Sequence, residues 1–149
     1  MNTKLSPLRT DLGLFLMRAM VGVVFLFHGA GKVFGWFGGH GIEGTAGWME
    51  SIGMPLPLAS ATAAGLTELL GGLALVSGFG MRLAAIPLTF TMLVAASVHT
   101  GFNAANGGME YPLTLAVLTA GLGLVGPGRF ALRLPRATSP SLATASAVS

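Results

Sequence analysis

His28, Lys32, Glu68 and His99 each carry a titratable group in a strongly apolar stretch of the chain. An imidazole exchanges protons near neutral pH, a carboxylate accepts protons or hydrogen bonds, and an ammonium favours the charged form of a carboxylate beside it. Such a set suits binding a polar head group or moving protons. Arg18 adds a second cation and Glu110 a second acid, while Asn106, with Asn103, places amides just ahead of Glu110. In hydrocarbon an ionised side chain costs about 3 kcal/mol or more unless paired or hydrated, so each of these residues reads as functional or as part of a structural pair.

Composition supplies the apolar setting. The chain has 149 residues, 52% hydrophobic and 9% charged, against about 25% charged in a soluble domain. That points to a multi-pass membrane protein, with the lipid bilayer as its first partner. Without cysteine the chain forms no disulfide of its own and performs no thiol catalysis. The eight basic residues are scattered, with no basic face interleaved with aromatics, so nucleic acid is excluded as a partner.

Hydropathy then places the elements. Apolar runs predict four transmembrane helices at about residues 12–34, 58–79, 83–99 and 110–126, making one all-α bundle over 12–132. Residues 1–11 form a cytoplasmic N-terminus, and the Ser/Thr/Ala/Pro-rich residues 133–149 a disordered cytoplasmic tail. Arg18 interrupts the first run, which continues well past a signal core, so it reads as a span and not as a cleaved signal peptide. Lys4, Arg9, Arg82, Arg129, Arg133 and Arg136 fall on one side of this arrangement and Glu43, Glu50 and Glu110 on the other. The positive-inside rule therefore puts both termini in the cytoplasm. In the first outer loop, Trp48 and Ile52 lie one helical turn apart, which predicts a short interfacial helix around Thr45 to Ile52.

On the first helix, Arg18, His28 and Lys32 fall within roughly 80° of one another at about 100° per residue. They face inward together. Glu68, near mid-span on the second helix, is the expected counter-ion for Lys32 or Arg18. His28, His99, Asn106 and Glu110 gather with it toward the outer half and imply a pocket. Plainer roles stand beside these: Lys32 and Arg18 snorkel to the surface, Arg18 bonds hydroxyls such as Thr89 and Thr119, His28 bonds a neighbouring carbonyl, and Glu68 stays protonated against a helix backbone. No spacing such as two His on adjacent turns supports a metal. The glycines favour close helix packing, with Gly31, Gly35 and the pair Gly71-Gly72 as contact points.

The stretches FLFHGAGKVFGWFGGHGIEGTAGWMESIGMP (25–55), TELLGGLALVSGFGMRLAA (67–85), NGGMEYPLTL (106–115) and GPGR (126–129), in that order, resemble the DoxX family of small four-helix membrane proteins, from about Leu14 to Leu132. The resemblance implies a bundle similar to that of vitamin K epoxide reductases, though without the cysteine pair on which their chemistry depends. It also implies links to quinone-dependent oxidation, oxidative stress and detoxification, or to membrane-protein assembly. The reading is a quinone- or lipid-binding membrane subunit with no intrinsic cofactor beyond a bound quinone, at most one part of an oxidoreductase. A redox partner protein supplies electrons, and the chain is a candidate homo-oligomer. The alternatives are a non-enzymatic assembly scaffold and a small transporter or proton pathway. The ligand-binding set is His28, Lys32, Glu68, His99, Arg18, Asn106 and Glu110.

Overall fold

A computed structural model describes residues 7–132. Lys4, Arg133, Arg136 and the tail expected at 133–149 lie outside the described residues. The described residues form five α-helices in the order α1 (Pro7–Phe34), α2 (Gly41–Ser51), α3 (Pro57–Ser77), α4 (Met81–Ser97) and α5 (Glu110–Val125), with 3₁₀ turns at Trp36–Gly38 and Ala104–Asn106. There is no strand among the described residues. The element expected at Thr45 to Ile52 is α2, which begins four residues earlier; α1 likewise begins at Pro7 and not at Leu12.

The sequence marks its own helix ends. Pro57 opens α3 at a position where a missing N–H leaves no bond unmade. Gly35 stops α1 in the left-handed region at φ +72°, and its N–H returns to the Gly31 carbonyl at 3.1 Å. Pro87 sits inside α4, which continues through it.

Helices α1 and α3 run antiparallel at backbone contact. A Cβ at Gly29 would stand 2.5 Å from the Leu69 nitrogen, and one at Gly72 would stand 2.8 Å from the Gly22 carbonyl oxygen. Only glycine permits this approach, which aligns the Lys32 turn with Glu68. Helices α4 and α5 form a second antiparallel pair, α4 packs on α3, and α2 lies across α3 and α1. Phe25, Leu75, Met81, Leu88, Met92, Leu115 and Leu122 make the shared core.

Around that core the surface is inverted relative to a soluble bundle. Leu83 is 77% exposed and Leu124 84%, in company with Met20, Leu70, Ile86, Phe90 and Val117, a continuous apolar exterior far beyond what a soluble monomer shows. Helices α1 and α3 are long and apolar enough to cross a membrane, while α4 and α5 are shorter apolar helices.

At the end of the bundle that carries the Gly78–Gly80 turn, Arg18 is wholly buried. Its Nη1 donates to the carbonyls of Leu75 at 2.9 Å and Val76 at 2.8 Å, and Nη2 donates to the Phe130 carbonyl. This corrects the expectation that Arg18 would bond Thr89 and Thr119 or pair with Glu68. The last carbonyls of α3 have no partner within the helix and carry its negative dipole end, so a cation is well placed there. Glu68 lies about 10 Å further along α3. Thr119 bonds the Leu115 carbonyl of its own helix, and Thr89 Oγ1, like Arg18 Nε, is buried without a partner among the described residues. The segment after α5 is clipped to the same end by Leu132 N–H to the Ser77 carbonyl at 2.9 Å and Arg129 N–H to Asp11 Oδ1 at 3.0 Å.

Gly29→Ala should destabilise the bundle by about 1–3 kcal/mol, because the atoms facing the new methyl are the backbone of α3 and do not move aside. Gly121→Ala, facing open space in α5, should be neutral or stabilising by up to about 1 kcal/mol. Thermal unfolding in detergent measures both; equal effects would contradict backbone contact between α1 and α3.

Candidate functional site

At the opposite end, the Lys32 ammonium donates to both Glu68 oxygens, at 2.7 Å to Oε1 and 2.6 Å to Oε2. Glu68 is 2% exposed and Lys32 29%. The pair is therefore asymmetric: the carboxylate is locked in the bundle and the ammonium reaches it from the rim. Of the two counter-ions the sequence allowed Glu68, the structure selects Lys32.

Beneath this pair lies a cavity of about 240 Å³. Val24, Phe25 and His28 of α1, Glu68 of α3, Met92, Ala95 and His99 at the end of α4, and Tyr111, Pro112 and Leu115 of α5 line it. The walls are apolar, so polarity is confined to His28, Glu68, His99 and Tyr111. The His28 and Tyr111 rings lie 5.9 Å apart at 41°, and the Trp48 ring of α2 is 6.4 Å from that of His99.

The two histidines share one local geometry. His28 Nδ1–H donates to the Val24 carbonyl at 2.9 Å and His99 Nδ1–H to the Ala95 carbonyl at 2.6 Å, each one turn back along the chain. His28 thus bonds its own helix and not the neighbouring one.

Two further cavities adjoin. One of about 360 Å³ lies between α2, α3 and α4, with Lys32 and Trp48 above Ala63, Thr67, Phe90 and Val94. The other, about 310 Å³, lies under the glycine-rich loop, where His28 and Lys32 meet Trp36, Phe37 and His40. Lys32 borders both and Glu68 borders the central cavity, so the ion pair stands between the compartments.

The structure brings His28, Lys32, Glu68 and His99 together as the sequence implied. Arg18 does not join them; it holds carbonyls at the far end. Asn106 is exposed in the 3₁₀ turn, and Glu110 Oε1 accepts from the Ala104 N–H at 2.9 Å, which shapes the loop before α5. Neither lines the central cavity. Tyr111 does, and sequence reasoning passed over it. Its signal was available: it is the single tyrosine of the chain, directly before the proline in the first turn of α5. No group of three His, Asp or Glu among the described residues is arranged to hold a metal ion.

Replacing Lys32 by Met should destabilise the protein toward the low end of about 3–5 kcal/mol, because the buried Glu68 carboxylate loses its partner. Adding Glu68→Gln should recover most of that loss. A double-mutant cycle of thermal stability measures the coupling; additive effects would contradict a compensated buried pair.

Comparison with known proteins sets this arrangement among relatives. A family model for DoxX matches residues 13–101. The chain is 30% identical over 123 residues to the provisionally named oxidoreductase CatD of Bacillus subtilis (strain 168), covering 82% of this chain and 85% of that protein. It is 30% identical over 129 residues to the inner membrane protein YqjF of Escherichia coli (strain K12), covering 82% of this chain and 90% of that protein. No solved structure matches it significantly. The family match includes His28, Lys32, Glu68 and His99, and on that match the chain belongs to the DoxX family.

Proposed function

We propose that this protein is a four-span subunit of a bacterial-type cytoplasmic membrane that holds the head group of a quinone in the cavity beneath Lys32 and Glu68, in association with a redox partner protein. The observation that carries this reading is a compact set of proton-exchanging side chains, His28, Glu68, His99 and Tyr111, lining one apolar-walled cavity in a bundle whose exterior is also apolar, with the Glu68 carboxylate buried at its back. Protein-lined cavities of this kind are where small apolar ligands with a polar end bind.

In this reading α1, α3, α4 and α5 all cross the bilayer. The 17 residues of α4 and 16 of α5 rise about 25 Å, a few Å less than the hydrocarbon core, a mismatch that local thinning accommodates at small cost. Helix α2 lies at the outer boundary, where Trp36, Phe37 and Trp48 are exposed and where amphipathic rings are favoured. Both termini are cytoplasmic. The names of the relatives, an inner membrane protein in one case and a provisional oxidoreductase in the other, are consistent with this placement and role.

A quinone and its hydroquinone interconvert by exchanging two electrons and two protons. The chain's own part is to seat the ring, exclude water and present groups that exchange those protons: the imidazoles of His28 and His99, the Tyr111 hydroxyl, and Glu68, whose charge Lys32 stabilises. Without cysteine, electrons do not pass through a dithiol of this chain, and the redox partner provides them.

Mass spectrometry of material extracted from the protein purified in mild detergent tests the ligand. Quinone and hydroquinone together are expected in stoichiometric amount, their total reduced several-fold in Glu68→Gln and His28→Ala; a phospholipid in their place, unchanged by either variant, would point to a lipid-holding scaffold. The topology is tested separately. Because the natural chain lacks cysteine, single cysteines report one position each: Ser51→Cys and Asn106→Cys should react with a membrane-impermeant maleimide in intact spheroplasts, and Phe79→Cys and Arg129→Cys only after permeabilisation. Labelling of all four from outside would refute the four-span arrangement.

A further inference from the structure

The hydrogen bonds that fix the two histidines also fix what kind of ligand the cavity accepts. A backbone carbonyl only accepts, so the bonds from His28 to Val24 and from His99 to Ala95 place a proton on each Nδ1. An uncharged ring then keeps Nε2 as a bare acceptor at its far edge. Both bonds are internal to the residue's own chain segment, one turn back, so the Nδ1 proton is placed before any ligand arrives. Glu68, held by Lys32, is acceptor-only as well, and each of its oxygens retains a free lone pair after the Lys32 bond. The Lys32 ammonium is directed at Glu68 and is not part of the cavity lining. The polar wall therefore offers two imidazole nitrogens and a carboxylate, all acceptors, and one hydroxyl, that of Tyr111, able to act either way.

We infer that this cavity selects a single ring bearing hydroxyl donors, of the hydroquinone class, over the same ring bearing carbonyls. The inference rests on the ring-binding reading above and specifies which form of the ring is bound. A carbonyl-bearing ring would set its lone pairs against those of His28, His99 and Glu68, with only Tyr111 able to donate. A ring with two O–H groups satisfies two of the acceptors at once and leaves Tyr111 free to serve a third. Glu68 is buried and the walls around the other acceptors are apolar, so an acceptor left without a donor is the costly outcome, and that cost falls on the carbonyl form. Size points the same way. At about 240 Å³ the cavity lies below the range of about 300–1,000 Å³ usual for small-molecule sites, which matches one ring with small substituents and not a fused ring system.

The test uses the full chain in detergent micelles under anaerobic conditions at about pH 8, where an ordinary imidazole is uncharged. Duroquinol and duroquinone serve as probes, because their four methyl groups block addition of amines to the ring. Titration calorimetry should show duroquinol bound about tenfold more tightly than duroquinone, the effect of two additional neutral hydrogen bonds. His28→Phe and His99→Phe should each bring the ratio toward one, mainly by weakening duroquinol. His99→Gln, a milder change whose amide adds a donor, should narrow the ratio by strengthening duroquinone. Saturable binding of both rings with equal affinity, or a preference unchanged in all three variants, would overturn the selection of the reduced form while leaving the ring site in place. Binding of neither ring would overturn both readings.

Discussion

A carboxylate buried in an apolar bundle is the constraint on which this structure turns. Glu68 sits on a helix surrounded by hydrocarbon side chains, and its charge is tolerable only because Lys32 reaches it with two short hydrogen bonds. That requirement fixes the register of α1 against α3, since a slip of one residue on either helix would swing the ammonium about 100° away from the carboxylate. The glycines answer the same requirement from the backbone side. Gly22, Gly29 and Gly72 let the two helices touch, and contact at that distance is what brings a lysine at the rim within reach of an acid in the interior.

Once α1 and α3 are locked, the second pair of helices closes a space and does not fill it. Helices α4 and α5 bring His99 and Tyr111 over the face of α1 that carries His28, and the residues between them, Phe25, Met92 and Leu115, line the walls of the cavity without occupying it. At the other end Arg18 plays the complementary part. It collects the free carbonyls at the end of α3 and the segment following α5, so that end of the bundle is tied together while the end beneath α2 holds three adjoining cavities.

Much of this was legible in the sequence because it rests on local signals. Hydropathy gave the apolar helices, proline and glycine gave their ends, and the rarity of charge in hydrocarbon singled out His28, Lys32, Glu68 and Arg18. Pairing was less legible. Both Lys32 and Arg18 lay on the inward stripe of α1, and helical angle alone does not distinguish them; depth along α3 decides, and it hands Glu68 to Lys32 and the helix end to Arg18. Asn106 and Glu110 looked like site residues because they are polar and near His99, yet they serve the turn that leads into α5. Tyr111 was missed for the opposite reason: a tyrosine at a helix start is unremarkable in sequence, and only the antiparallel packing of α4 and α5 sets it opposite His28. Which ring nitrogen of each histidine faces the backbone was likewise invisible, since it depends on the side-chain rotamer.

The central claim is that the ligand's ring lies under the Lys32–Glu68 pair and not in the groove between α2, α3 and α4. Photolabelling of the protein in proteoliposomes with a ring-azido quinone, followed by mass-spectrometric mapping of the modified residues, tests it most directly. The account predicts label between Val24 and His28 and between Tyr111 and Leu115, competed away by the unlabelled ring. Label concentrated on Phe90 to Val94, or spread over the lipid-facing side chains without competition, would contradict it.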